Sequence, residues 1–220
     1  MDWTALRLSL SLAGWTVFIL LPLAIIAARF LAFNRPRGKN VIEALIALPL
    51  VLPPTVFGYY LLVAFGPHHW LGNGYQALFG RTFAFSFEGL LAASLLMNIP
   101  FAVQPLQRAF EAIPANVREA AWCSGLSRWR TFRQIEMPLA WPGLAGAAAL
   151  TFSHTLGEFG VVLMVGGNIP GETKTIAISI YDRVQAFDDV AAGKMAALLL
   201  LISFLTVAVV FMLAEKRHDS

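Results

Sequence analysis

The stretch REAAWCSGLSRWRTFRQIEMP, from Arg118 to Pro138, is a water-compatible segment in a strongly apolar chain. It carries four arginines, two glutamates, two tryptophans and one glycine. The segments on both sides of it are apolar and long enough to cross ~30 Å of hydrocarbon. This placement predicts a patterned loop with a task outside the bilayer.

Helix signals fill this loop. Asn116, followed three residues later by Glu119, has the form of a capping box and predicts a helix that starts just after Pro114. Apolar residues then recur at helical spacings of four, three and three. They predict one apolar stripe made of Trp122, Leu126, Trp129 and Phe132.

The loop is predicted to form two short amphipathic helices with a bend near Gly125. Ser127 is placed to cap the second helix, and Pro138 marks the start of the next apolar span. A helix this short is marginal in water and needs a surface to pack on. The membrane surface, the chain's own bundle and the groove of a partner all fit this spacing.

The composition is that of a membrane protein. Hydrophobic residues make up 58% of the 220 residues and charged residues 13%, against about 45–50% and about 25% in soluble domains. The net charge of +3 does not predict nucleic-acid binding, because the basic residues lie in short loops beside apolar blocks. The single Cys123 excludes an internal disulfide and a cysteine metal cluster.

Five apolar blocks predict an all-α integral membrane protein with one domain over residues 1–220. The predicted spans are approximately 8–28, 44–66, 89–110, 138–166 and 195–214, with residues 111–137 as the loop described above. Three prolines predict a kink in the second span, where it either lines a pore or serves packing: Pro49, Pro53 and Pro54. Interfacial segments are predicted at 67–88 and after the fourth span. No metal site is predicted, since His68 and His69 lack a third partner.

Lysine and arginine are distributed unequally between the two sides of these spans. One side holds eleven: Arg29, Arg35, Arg37, Lys39, Arg108, Arg118, Arg128, Arg130, Arg133, Lys216 and Arg217. The other side holds five: Arg7, Arg81, Lys174, Arg183 and Lys194. Because the richer side is normally cytoplasmic, we expect the loop and the C-terminus in the cytoplasm and the N-terminus outside.

The loop resembles the EAA loop of ABC-importer permeases, in which E-A-A is followed by Gly and then by a downstream Ile and Pro. The matching residues are Glu119, Ala120, Ala121, Gly125, Ile135 and Pro138. In that family the loop is the coupling helix, which docks in a groove of a cytoplasmic ATPase. The resemblance implies ATPase-coupling roles for Glu119, Ala120, Ala121, Trp122, Gly125 and Leu126.

A second resemblance concerns the substrate. FSHTLGEFGVVLMVGGNIPGETKTI, from Phe152 to Ile176, is similar to the corresponding stretch of molybdate permeases, as are LPLVLPPTVFGYYLL and FGRTFAFSFEG. It implies a type I ABC-importer permease fold in a bacterial inner membrane. It also implies a homodimer, two ABC ATPase subunits and an extracytoplasmic molybdate-binding protein. Sulfate and thiosulfate permeases share part of the pattern, so a permease for those anions, or for tungstate, is the alternative.

Catalytic motifs are missing from the sequence. No G-x-x-x-x-G-K-[ST] loop occurs, so ATP hydrolysis is expected from another chain, and no cofactor is expected. H-E-x-x-H, G-x-S-x-G and Cys/His clusters are also absent, which argues against an integral membrane enzyme. A secondary transporter would show intramembrane charges and an internal repeat, and neither is visible.

A tetrahedral dianion needs a polar route through the bilayer, and two copies of a thin bundle can enclose one. The route must bind weakly enough to release the ion. Hydroxyl and amide side chains of the spans are candidates, although each can instead bond its own helix backbone. They are Thr55, Ser94, Asn98, Thr151, Ser153 and Thr155.

Glu158 is the conspicuous acid of the fourth span. It lies about 20 residues past Pro138, or ~30 Å of helix, which places it near the outer membrane face. A carboxylate is a poor ligand for a dianion. We therefore expect Glu158 to accept hydrogen bonds at a bend between Gly157 and Gly160, or to act as a gate that repels the anion.

Overall fold

The computed structural model of the protein describes residues 1–34 and 36–216, which contain eleven α-helices and one π-helical turn. The helices are α1 (Trp3–Asn34), α2 (Lys39–Val51), α3 (Pro54–Phe65), α4 (Trp70–Phe79), α5 (Phe87–Glu111), α6 (Ala115–Cys123), α7 (Arg128–Thr131), α8 (Met137–Gly157), α9 (Gly160–Gly166), α10 (Ile176–Gln185) and α11 (Asp189–Lys216). The π turn is Phe132–Glu136. The predicted all-α fold is confirmed. Arg35 and Arg217, two of the basic residues assigned to the cytoplasmic side, lie outside the described residues.

The centre of the bundle is formed by α1, α5 and α8, which pack on one another. Small side chains allow this close approach: Ala28 of α1, Ala102 of α5 and Ala147 of α8 are fully buried. In the most apolar 18 residues of α5, 56% are buried, against 6% in α11. The helix α11 packs on α8 and α10 and directs most of its apolar surface outward.

Three helices are long and apolar enough to cross a membrane by themselves: α1, α5 and the part of α11 from Asp189 to Val210. They correspond to the predicted first, third and fifth spans. The fifth begins at Asp189 rather than at 195, because the charged residues that were assigned to an interfacial segment already belong to α11. The described residues thus contain three such helices, or five spans if each of two bent helix pairs counts as one.

The second predicted span is broken and not merely kinked. Its halves α2 and α3 meet at 105°. Leu52 has an extended backbone, as a residue before proline prefers, and the following Pro53 and Pro54 donate no hydrogen bonds. Pro49, by contrast, lies inside α2 without ending it. The prediction of one kinked helix was therefore wrong about the size of the bend.

The fourth predicted span is also broken, and here the predicted position of the bend is confirmed. The helix from Arg128 to Gly157 and α9 meet at 60°. Glu158 adopts an extended backbone between them. The residues predicted to allow the bend, Gly157 and Gly160, lie directly on either side of it.

The loop between the third and fourth spans differs from its prediction in two ways. Helix α6 begins at Ala115 and has no side-chain cap, so Asn116 lies inside the first turn and the predicted capping box is wrong. The second predicted helix is not separate, since α7, the π turn and α8 run on as one helix. The bend itself is confirmed by Gly125, whose φ is +81°, and the Ser127 hydroxyl caps α7 by accepting a hydrogen bond from the Arg130 N–H.

Described members of the two groups of basic residues lie at opposite ends of the bundle. At one end of α1, the Ser179 hydroxyl of α10 donates to Asp2 at 3.0 Å. Arg7 and Arg81 line one cavity at this end. At the other end, Arg29 bonds Glu136 of the π turn. Basic residues of the richer group line a second cavity there: Lys39, Arg108 and Arg118.

The contact between α5 and α8 depends on Gly143. A Cβ at this position would lie 2.3 Å from the Ala109 Cβ and 3.1 Å from the Pro105 carbonyl oxygen, whereas one at Gly146 would meet nothing within 4 Å. We predict that Gly143→Ala lowers the free energy of unfolding by about 1–3 kcal/mol through overpacking. The matched Gly146→Ala should be neutral or slightly stabilising, because alanine favours helix. Thermal unfolding of the detergent-purified chain measures both, and equal midpoints for the two variants would contradict the packing described.

Candidate coupling and translocation sites

The predicted coupling residues lie on α6 and just after its end, and all of them except the buried Ala121 and the half-buried Leu126 are exposed. Glu119, Ala120 and Gly125 are exposed, and Trp122 is 43% exposed. Leu126 is half-buried. Among the nine residues of α6, all of which the structure describes, Ala121 is the only buried one.

The predicted apolar stripe is only partly covered by the chain itself. Trp129 is 68% exposed, and its ring lies 5.3 Å from that of the half-buried Phe132. Exposed tryptophans grouped in one loop mark surfaces that bind something else. The chain's own bundle therefore leaves both tryptophans of this stripe uncovered.

A buried carboxylate fastens the loop to the bundle. Glu136, at the end of the π turn, is fully buried. Its Oε2 accepts a hydrogen bond from Arg29 Nε of α1 at 2.5 Å, and its Oε1 accepts one from Arg118 Nε of α6 at 3.0 Å. Arg29 Nη2 adds a longer bond of 3.3 Å. Glu136 thus joins α6, α1 and the start of α8.

Aromatic rings surround the two guanidinium groups. Arg118 lies 3.6 Å from the ring centroid of Phe33 and 5.1 Å from that of Trp122, and Arg29 lies 5.2 Å from that of Phe132. Such cation–π contacts strengthen when water is excluded. Removing one partner of a buried ion pair costs about 3–5 kcal/mol, since the remaining charge is left uncompensated.

Sequence reasoning missed Glu136 and Arg29 as a connected pair. The available signal was an acid two residues before Pro138, at the start of an apolar span and close to basic residues. An ionisable group at such a position needs a partner. The sequence did not reveal that this partner comes from α1, 107 residues away.

The translocation candidates divide into three groups in the structure. Thr55 is exposed at the start of α3. Two candidates bond their own helix backbone: Thr155 donates to the Thr151 carbonyl and Asn98 to the Ser94 carbonyl, each at 2.8 Å. Three hydroxyls are buried with no hydrogen-bond partner among the described residues: Ser94, Thr151 and Ser153.

A polar cluster lies between α5 and α8, and its central residue was not predicted. His154 Nδ1 lies 3.1 Å from Asn98 Oδ1, its Nε2 lies 3.8 Å from Glu158 Oε2, and its ring stacks on Phe101 at 4.0 Å. An imidazole within an apolar span is itself a signal for a functional site. This signal in the sequence was overlooked.

A cavity of about 350 Å³ opens beside this cluster. Its lining comes from the two helix breaks: Pro54, Ser153, His154, Gly157, Glu158, Phe159 and Gly160. The candidates Ser153, Gly157, Glu158 and Gly160 are therefore brought together. Thr55, Ser94 and Thr151 are not among its lining residues.

Glu158 caps the helix that follows it. Its Oε1 accepts a hydrogen bond from the Val161 N–H at 3.3 Å, which satisfies one free donor of α9. The two breaks pack directly on each other, since a Cβ on Gly160 would lie 2.8 Å from the Pro54 Cβ. A Cβ on Gly157, by contrast, would meet nothing within 4 Å.

The segment after α9 is tied to α10 by Asp182. Asn168 donates to this carboxylate at 3.0 Å, and Lys174 pairs with it at 2.6 Å. Partial burial alone would raise the pKa of Asp182, but the hydrogen bonds from Lys174 and Asn168 hold that pKa below its usual value. This loop is therefore ordered at the end of the bundle that carries the N-terminus.

No group of three or more His, Cys, Asp or Glu side chains that could hold a metal ion occurs within residues 1–34 and 36–216.

Residues 20–219 match the family described as "Binding-protein-dependent transport system inner membrane component". The chain belongs to this family. The chain is therefore a multi-pass component of an inner membrane, and its activity is transport and not catalysis.

Several known transport permeases are similar in sequence to this chain. The molybdenum transport system permease protein ModB of Azotobacter vinelandii is 48% identical over 217 residues, which cover 99% of this chain and 95% of that protein. The protein of the same name from Escherichia coli (strain K12) is 36% identical, covering 98% and 92%. A probable sulfate transport system permease protein cysT of Chlorella vulgaris is 33% identical, covering 79% and 65%.

Two solved structures share the fold. A bacterial ABC transporter involved in the import of the acidic polysaccharide alginate matches with a TM-score of 0.78 and 15% identity, covering 97% of this chain and 78% of that one. A bacterial alginate ABC transporter in complex with its pentasaccharide-bound periplasmic protein matches with a TM-score of 0.77 and 16% identity, with the same coverage. The predicted ABC-importer permease fold is confirmed by these likenesses.

The capping role of Glu158 can be separated from a role of its charge. Glu158→Ala should lower the free energy of unfolding by about 1 kcal/mol, because α9 loses a side-chain cap. Glu158→Gln keeps an oxygen acceptor, so its free energy of unfolding should lie within about 0.5 kcal/mol of that of the parent chain. Thermal unfolding in detergent compares the two. If Gln destabilises as much as Ala, the charge facing His154 matters more than the cap.

Proposed function

We propose that this chain is the membrane subunit of an ATP-driven molybdate importer. The observation that supports molybdate as the substrate is the 48% sequence identity of this chain to a molybdenum transport permease over 99% of its length. Relatives named for sulfate transport are less similar and cover less of it, which supports molybdate over the sulfate alternative. Tungstate remains a second substrate of the same site, since its size, charge and shape are nearly those of molybdate.

The five-span arrangement in one domain over residues 1–220 is part of this proposal. It counts each bent pair, α2 with α3 and α8 with α9, as a single span. Broken helices are tolerated at membrane depth where protein or a polar cavity surrounds them. The contact of Gly160 with Pro54 and the adjoining cavity provide that environment.

The chain is oriented with its N-terminus outside and α6 in the cytoplasm. Arg7 and Arg81 of the smaller basic group line a cavity at one end of α1, and Lys39, Arg108 and Arg118 of the richer group line a cavity at the end next to α6. Cys123, the single cysteine, is exposed on α6 and reports this orientation. A membrane-impermeant maleimide should modify it in inverted vesicles and leave it unmodified in right-side-out vesicles. The reverse pattern would overturn the orientation.

Two copies of the chain enclose the anion path. The buried free hydroxyls of Ser94, Thr151 and Ser153 supply hydrogen-bond donors without a fixed positive charge. Such donors replace part of the anion's hydration and still let it leave. We place the narrow part of the path at the cavity lined by Ser153 and His154.

Glu158 acts in this path through structure more than through charge. Its carboxylate is engaged by the Val161 N–H and faces His154, so it is not free to bind a dianion. As a gate it would repel the anion, and Glu158→Gln would then raise the leak of anion through the assembled transporter. As a cap it predicts no such leak.

The surface of α6 docks a cytoplasmic ABC ATPase. Glu119, Ala120 and Trp122 are exposed together on a helix with one buried residue, and Gly125 is exposed just after its end. The opposite end, with the ordered loop at Asn168, receives the extracytoplasmic binding protein. Two permease chains, two ATPases and one binding protein make up the assembly.

Reconstituted vesicles test the function directly. With its ATPase and its binding protein, the chain should take up molybdate only when ATP is hydrolysed. Tungstate should compete within about tenfold, because a wide polar path cannot tell the two apart and discrimination needs a fitted buried site. Sulfate should compete poorly. Vesicles without the ATPase subunit are the control.

Two outcomes would contradict the proposal. Sulfate uptake as efficient as molybdate uptake would assign the chain to the sulfate alternative. Uptake driven by an ion gradient in place of ATP would exclude an ABC importer.

A further inference from the structure

We propose that Arg29, Glu136 and Arg118 are positioning residues that transmit movements of α6 to α1 and α8. The proposal rests on the proposed function, in which α6 receives the force of the ATPase. It adds the route by which that force enters the membrane helices. These three side chains are called the Glu136 cluster below.

The first argument is how little else holds α6. Ala121 is its single buried residue within the described chain. Arg118 of α6 reaches the bundle through its bond of 3.0 Å to Glu136 and its contact with the Phe33 ring. A displaced α6 must therefore either pull on this residue or break its contacts.

The second argument is the connectivity of Glu136. One carboxylate, fully buried, accepts from Arg118 of α6 and from Arg29 of α1 while lying on the helix that continues into α8. Charge-assisted bonds to a buried carboxylate are short and directional. The three helices thus meet at a single side chain.

The third argument is the position of Glu136 at the end of a π turn. A π turn holds more residues than an α turn. Each extra residue rotates the side chains that precede the turn by about 100° around the helix axis, relative to those of α8. The orientation of α7, and of α6 through the Gly125 bend, therefore depends on this turn. Glu136 and Phe132, at its two ends, both contact Arg29.

The fourth argument is electrostatic. The cluster holds two cations and one anion, and the carboxylate is the group of opposite charge between Arg29 and Arg118. Without that anion, two neighbouring guanidinium groups repel each other. Loss of Glu136 should therefore separate α6 from α1 without removing any residue of the docking surface.

The decisive variant is Glu136→Gln, and its matched control is Glu111→Gln. Glu111 lies at the same end of the bundle but is bonded to Lys39 at 2.8 Å and to Gln107 at 2.9 Å. Both changes remove one negative charge. Only the first replaces one of the two acceptor oxygens that join α6 to α1 with an NH2 donor, which cannot bond a guanidinium group.

Two readouts are needed in the assembled transporter. The first is the amount of molybdate taken up per ATP hydrolysed, with co-purification of the ATPase as the test of assembly. We expect Glu136→Gln to retain the ATPase and to lower this ratio at least tenfold, and Glu111→Gln to stay within twofold of the parent. A purely structural role would instead lower assembly, hydrolysis and uptake together.

The second readout is a distance in the permease alone. Spin labels on Cys123 of α6 and on Asn34→Cys at the end of α1, diluted with unlabelled Cys123→Ser chains, report the separation of the two helices. The distance distribution should broaden in Glu136→Gln and not in Glu111→Gln. This measurement needs neither ATPase nor substrate, so it decides the proposal even if the parent vesicles carry no molybdate, a result that would contradict the proposed function alone.

Arg118→Lys is the second variant, and it decides the question if Glu136→Gln does not insert. It keeps the positive charge but removes the planar group that both bonds Glu136 and stacks on Phe33. We expect the same loss of uptake per ATP and the same broadening. Parent-like coupling and distances in either inserted variant would overturn the proposal, as would a parallel loss of assembly and all activity in both.

Discussion

A backbone hydrogen bond left unmade in hydrocarbon costs several kcal/mol, and this constraint decides where the helices of this chain can break. At the first break, Pro53 and Pro54 have no N–H to satisfy, and the Leu52 N–H still reaches the Leu48 carbonyl. At the second, the Glu158 side chain accepts from the Val161 N–H. The breaks then pack on each other through Gly160 and Pro54. Proline and a capping carboxylate are thus two ways to avoid an unpaired backbone N–H at a helix break. Pro54 and Glu158 both line the cavity to which we assign the anion path.

The opposite end of the bundle solves a different problem, which is how a loop outside the bilayer stays connected to helices inside it. Helix α6 keeps its tryptophan and glutamate on the surface and holds the bundle through Arg118. Glu136 is costly to bury, but two guanidinium groups compensate it. The docking surface that we propose on α6 therefore has few buried residues of its own, but one of its contacts with the bundle is directional.

Local signals in the sequence were sufficient for three features. The composition indicated the helical membrane class, a glycine indicated the loop bend at Gly125, and a Gly-Glu-aromatic-Gly element indicated the break at Glu158. The sequence was insufficient for the angle between α2 and α3, since prolines indicate a bend without setting its size. It placed the start of α6 correctly, just after Pro114, but assigned the cap to Asn116, whereas Pro114 occupies the position before the helix and no side chain caps it. The pairings of Arg29 with Glu136 and of Asn98 with His154 join residues 107 and 56 positions apart, and no periodicity within one helix encodes them.

The central claim is that the exposed face of α6 is the contact to a cytoplasmic ATPase, and the single cysteine allows it to be tested most directly. A benzophenone maleimide attached to Cys123, which is exposed at the end of α6, reaches only what lies against that helix. A chain with Cys123→Ser and Asn73→Cys, labelled on α4, is the control. On illumination of the assembled transporter, the label on Cys123 should form a covalent product with the ATPase subunit and the label on α4 should not. A label on Cys123 that couples only to lipid, or only to the permease itself, would contradict the account.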